Sequence, residues 1–105
     1  MILEAVFLHI KAGQTAEFEK NFRSASRLMA KTEGYLSHNL QKCLEDSHKY
    51  LLLIYWETLA SHTVNFRQSP EYLEWKALLH HFYQPFPTVE HFQEVELEKT
   101  LGGSR

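Results

Sequence analysis

Residues 49 to 57 read KYLLLIYWE, and this stretch does not alternate between apolar and polar types. On a strand, Tyr50, Leu52, Ile54 and Trp56 point one way, and Leu51, Leu53 and Tyr55 the other. A strand that is apolar on both sides has to be covered on both sides. A chain of 105 residues allows one domain. Two helices of such a chain can cover one face of a four-stranded sheet, and nothing else is left for the other. A second copy of the same sheet is the simplest cover, so the sequence predicts a homodimer.

The neighbouring segments set the order of elements. Residues 2 to 11, ILEAVFLHIK, are apolar and β-favouring and stop at Gly13, which predicts a first strand. From Gln14 the period changes: Phe18, Phe22, Ala25 and Met29 form one stripe of a helix that Gly34 ends. Residues 35 to 44, YLSHNLQKCL, set Leu36, Leu40 and Leu44 against polar neighbours, and the turn at 45 to 47 makes a hairpin with the central strand. A short helix is expected over 59 to 68. A second starts at Pro70 behind a Ser69 cap and carries Tyr72, Trp75, Leu78, Leu79 and Phe82 at helical spacing. Pro85 and Pro87 stop it, and residues 88 to 97, TVEHFQEVEL, predict a last strand. The order is βαββααβ: an α+β ferredoxin-like plait, a four-stranded antiparallel sheet with helices on one face. Residues 1 to 97 form the domain, and 98 to 105 a loose tail.

Composition excludes several classes. A net charge of −2 without a basic run argues against nucleic acid. The single cysteine, Cys43, rules out an intrachain disulfide, suits a reducing compartment and reads as an inert buried thiol. The start lacks a basic leader, and the longest apolar run, 51 to 56, is too short to span a bilayer. A cytoplasmic protein with no membrane partner is expected. At 13% aromatic residues, the chain carries more ring area than so small a core easily encloses, so some rings should line a cavity or an interface.

Residues 78 to 92, LLHHFYQPFPTVEHF, place three histidines within twelve positions. Adjacent His80 and His81 diverge on a helix, and no HxH, HExxH or cysteine pair is present, so no metal site is expected. No Gly-rich phosphate loop is present either, so no cofactor is expected.

Strand, helix and hairpin followed by YWET and SPEYLEWKALLHHFYQPFPTVEHF resemble the antibiotic biosynthesis monooxygenase domain family of the dimeric α+β barrel superfamily. The resemblance covers residues 1 to 97. It implies a homodimer with facing sheets, a cavity between each sheet and its helices and, for some members, oxygenation of phenols or quinols without metal or flavin. That chemistry needs an apolar pocket, a proton acceptor, a donor for the anionic oxygen, and molecular oxygen.

The candidates for those roles are His80, His81 and His91 as proton acceptor, with His62, Arg67, Trp75, Phe82 and Tyr83 around a small aromatic substrate. One of His80 and His81 should face inward and the other water. His62 and Arg67, five apart, do not share a stripe of an α-helix. A module that binds a small hydrophobic ligand without turning it over is the alternative. A haem-degrading enzyme is the third reading. Haem-degrading relatives carry an Asn on the first strand and a Trp on the helix after the third; ILEAVFLHIK and LASHTVNFRQ have neither, which leaves His80 alone for that role.

Overall fold

The structure, a computed structural model, describes residues 1–97, and the tail expected at 98–105 lies outside them. The strands are β1 (Ile2–His9), β2 (Tyr35–Lys42), β3 (Lys49–Trp56) and β4 (Val89–Phe92), and the helices α1 (Thr15–Met29) and α2 (Pro70–Leu79). A π-helix, Ser61–Phe66, precedes α2, and a 3-10 turn, His80–Phe82, follows it. The antiparallel sheet has the order β2-β3-β1-β4, so the α+β ferredoxin-like fold is as the sequence predicts.

The apolar stripe of α1, Phe18, Phe22, Ala25 and Met29, is buried as its spacing demands. The Oγ of Ser69 accepts the Tyr72 N–H at 3.2 Å, and Pro70 begins α2. Gly34 has φ +94°, and a Cβ there would overlap the Oγ of Ser61. A glycine is therefore required where the chain enters β2 beside the π-helix.

Five local expectations are corrected. β2 ends at Lys42, not at 44, and an irregularity between Tyr35 and Ser37 shifts its register. Of Leu36, Leu40 and Leu44, only Leu40 packs on the core, and Leu44 is 95% exposed. The short helix begins at Leu59 as expected, but it is a π-helix over Ser61–Phe66 and gives way to a turn at 67–68. β4 holds four residues, Val89–Phe92, not ten, and they pair with Val6 to Leu3 of β1. Cys43 is half-buried, its Sγ 3.6 Å from Glu45 Oε1, not sealed in a core.

The even residues of β3 are at most 2% exposed beneath the helices. The odd residues Leu51, Leu53 and Tyr55 lie on the opposite face and are only half-buried by their sheet neighbours. Leu3, Ala5 and Phe7 of β1 pair with them, and Phe92 of β4 pairs with Leu3. Phe7 is 54% and Phe92 50% exposed, so this apolar face is open.

On the helix-covered face, one row crosses all four strands. His38 pairs with Ile54, Ile54 with Glu4, and Glu4 with His91. The fold thus sets an acid and two histidines in register beneath its helices.

Candidate functional site

Glu4 stands in the middle of β1 with its side chain on the inward parity, between Leu3 and Ala5 and level with Val6 and Leu8. It is 5% exposed. Its Oε1 accepts the indole N–H of Trp56 at 2.9 Å. The Nε2 of His62 lies 3.4 Å from the same oxygen, and the Nδ1 of His62 lies 2.8 Å from the Nε2 of His91. Carboxylate, buried imidazole and half-buried imidazole form one chain that runs from the centre of the sheet to its β4 edge. The far end of the chain is the other ring nitrogen of His91, Nδ1.

Burial and charge set the protonation of this chain. Burial pushes the Glu4 carboxyl up to about 7, against the opposing pull of the Trp56 hydrogen bond and of the Arg67 charge. Burial pushes His62 down to about 3, with Arg67 and His91 adding to the effect. His91 is lowered as well, by burial first and Arg67 second. Both imidazoles are therefore neutral near pH 7, while the carboxyl stands at its midpoint.

The π-helix sets His62 and Arg67 one turn apart. Five residues separate them, which turns them apart on an α-helix, but the Arg67 N–H donates to the His62 carbonyl at 3.1 Å across a π-turn. A residue and its fifth successor are thereby stacked. The same turn presses the His62 ring on Trp56, centroids 5.4 Å apart and planes at 19°.

An aromatic wall continues from this point. Phe66 lies 5.9 Å from Trp56, 5.3 Å from Tyr72 and 5.5 Å from Trp75, and Trp75 lies 5.9 Å from Phe22. At the β2 edge, the Tyr35 hydroxyl is hydrogen-bonded to Nδ1 of His38, whose ring meets Phe22.

The other expected residues lie apart from the chain. Phe82 is buried against Phe18. Tyr83 bridges to Ile10 and is half-buried; burial, then Tyr72 and Glu4, hold its hydroxyl protonated. His80 is half-buried among Tyr72, Tyr83 and Phe86, whereas His81 is exposed. Both help line an open groove of about 360 Å³ with Leu73, Lys76 and Ala77 on the outer side of α2. Of the three histidines first considered as proton acceptor, only His91 joins the acid.

Sequence reasoning passed over Glu4, Trp56 as its donor, and the Tyr35–His38 pair. The signal for Glu4 was present: an acid at an inward position of an otherwise apolar strand. Among the described residues, no group of three or more His, Cys, Asp or Glu converges to hold a metal ion, and no helix is long and apolar enough to cross a membrane.

Comparison with known proteins agrees with this architecture. The family model for antibiotic biosynthesis monooxygenase matches residues 1–78. The uncharacterised protein YczJ of Bacillus subtilis (strain 168) is 60% identical over 95 residues, which is 90% of this chain and all of that protein. A Bordetella bronchiseptica protein named for the same family shares 32% identity and superposes with a TM-score of 0.85, over 90% of this chain and 97% of the other. SnoaB of Streptomyces nogalater, a cofactor-independent oxygenase, shares the fold at 15% identity, with a TM-score of 0.79 over 93% and 96% of the two chains. The chain belongs to the antibiotic biosynthesis monooxygenase family.

Proposed function

We propose that this protein is a cofactor-independent monooxygenase that oxidises a small aromatic, a quinol or polycyclic phenol, with the His62–His91 pair receiving the phenolic proton. The observation that carries the reading is a gradient of burial along a hydrogen-bonded chain. His62 is 3% exposed, and its partner His91 is half-buried at the end of the chain. A neutral imidazole at the end of a buried chain suits a proton acceptor near pH 7, and an apolar aromatic wall keeps the resulting anion poorly hydrated.

The chemistry balances without a bound redox group. Loss of the O–H proton leaves an electron-rich anion that passes one electron to O₂. The substrate radical and superoxide then combine into a carbon–oxygen bond. Return of the proton gives a hydroperoxide, and loss of water leaves a carbonyl. Arg67, which acts on Glu4, His62 and His91 through space, is the cation that opposes the developing negative charge.

The working unit of this reading is a homodimer. The open apolar face built from Leu3, Phe7, Leu51, Leu53, Tyr55 and Phe92 supports it, because each large apolar side chain withdrawn from water contributes about 1.5–3 kcal/mol.

The test is oxygen uptake with a panel of quinols and anthrones by the wild-type protein and the His91→Ala variant. Uptake that falls at least tenfold in the variant, with circular dichroism unchanged, is the expected result. Saturable binding without oxygen consumption across the panel would instead make the protein a ligand-binding module. A Soret shift with stoichiometric haemin would favour the haem-degrading reading.

A further inference from the structure

We propose that Glu4 is the terminal proton store of a three-residue relay, Glu4–His62–His91, and that its ionisation sets the tautomer of both histidines. The hydrogen-bond geometry allows two arrangements of this chain in which both imidazoles are uncharged. In the first, Glu4 is a carboxylate and accepts from Trp56; His62 carries its proton on Nε2, toward the acid at 3.4 Å. Its Nδ1 then accepts the Nε2–H of His91 across 2.8 Å, and the Nδ1 of His91 is a bare lone pair.

In the second arrangement every proton has moved one place. A proton arriving at Nδ1 of His91 releases its Nε2–H to Nδ1 of His62, and His62 releases its Nε2–H to Glu4. The acid is now a neutral carboxyl that donates to Nε2 of His62. One proton has entered, one acid has been neutralised, and both imidazoles remain uncharged. The 2.8 Å contact survives with donor and acceptor exchanged. The 3.4 Å leg is the loose one, which shortens when the acid donates.

Register, burial and the acidity that burial produces agree with this assignment. The three side chains come from β1, the π-helix and β4, and the direct register of Glu4 with His91 holds the ends in place. Glu4 and His62 are both buried, so an imidazolium in the middle of the chain is disfavoured, and a proton is better placed at an end. The carboxyl midpoint of about 7 leaves the store half empty at neutral pH. The titratable and charged groups facing Glu4 are His62, Arg67, His91 and Tyr83, and Tyr83 stays protonated throughout this range.

The inference leans on the proposed oxygenation only for the source of the incoming proton. Its test needs no substrate. Histidine ring ¹⁵N spectra of the full-length protein should be recorded from pH 5.5 to 8.5 for the wild type and for Glu4→Gln, which keeps an acceptor for Trp56. In the wild type, His62 and His91 should both pass from the Nδ1–H to the Nε2–H tautomer as pH rises, with one shared midpoint near 7 and no imidazolium signal. In Glu4→Gln both rings should hold one tautomer across the range. Separate midpoints, an imidazolium at either ring, or a tautomer change that persists in the variant would overturn the relay. Should the variant not fold, the wild-type titration decides by itself. Oxygen uptake plays no part in this measurement, so the relay and the oxygenase reading can fail separately.

Discussion

The Nδ1 of His62 and the Nε2 of His91 meet at 2.8 Å, although 29 positions separate the two residues in the chain. One ring must present a lone pair and the other an N–H, so the contact forbids two imidazolium ions. Removing His91 would leave a buried nitrogen of His62 without its partner, and a buried polar atom so stranded costs about 1–3 kcal/mol. His91→Ala should therefore lower the urea-unfolding free energy by that amount. His81→Ala, at an exposed position on the outer groove, should change it by less than about 0.5 kcal/mol. Equal effects of the two substitutions would argue against the buried chain.

The pH dependence of stability follows from the two opposed shifts. The folded-state value of Glu4 is raised from 4.5 to about 7, so the folded protein holds a proton that the unfolded chain has lost. Its ionisation penalty, about 3 kcal/mol, is complete above pH 7 and disappears as pH falls toward 4.5. His62 is lowered from 6.5 to about 3, so below 6.5 the unfolded chain takes up a proton that the folded one refuses, and stability falls with acidification. Between pH 6.5 and 4.5 the two slopes oppose each other. Glu4→Gln removes only the first. The variant should be more stable than the wild type at pH 8 and lose that advantage by pH 5, as read from chemical denaturation at each pH. A constant difference across the range would mean that Glu4 does not titrate as its burial requires.

Gly34 offers a backbone test. Its φ of +94° strains any L side chain, and a Cβ would stand 2.6 Å from the Cβ of Ser61, the first residue of the π-helix. Gly34→Ala should cost more than about 2 kcal/mol, the conformational part alone being about 1–2. Because Ser61 immediately precedes His62, the change should also perturb the His62 ring signals in NMR spectra. Gly13, with φ +75° and open space around it, should show only the conformational part.

The open face of the sheet makes a prediction about assembly. Sedimentation at micromolar concentration should give twice the chain mass, and Leu53→Glu, at the centre of that face between Asn39 and Ala5, should give a folded monomer. A wild-type monomer would defeat the dimer.

The sequence by itself determined the fold. KYLLLIYWE required a central strand with one face against the helices, the stripe from Phe18 to Met29 required a helix against it, and Ser69-Pro70 marked the start of α2, because these signals are local periods and caps. Ends were less legible: only the four residues Val89–Phe92 of TVEHFQEVEL pair with β1, a length that its apolar and polar pattern does not reveal. The site was half legible. His62, Arg67 and His91 could be named as candidates from residue type alone, but His80 and His81 looked equally suitable. Only the tertiary structure placed His91 beside the acid and left His80 and His81 by the outer groove. Register across β1 and β4 set Glu4 opposite His91, and a π-turn in place of an α-turn brought His62 and Arg67 into line. Burial then turned an ordinary strand glutamate into an acid with its midpoint at about 7. Those are properties of distance and solvent exclusion, which a linear spacing does not contain.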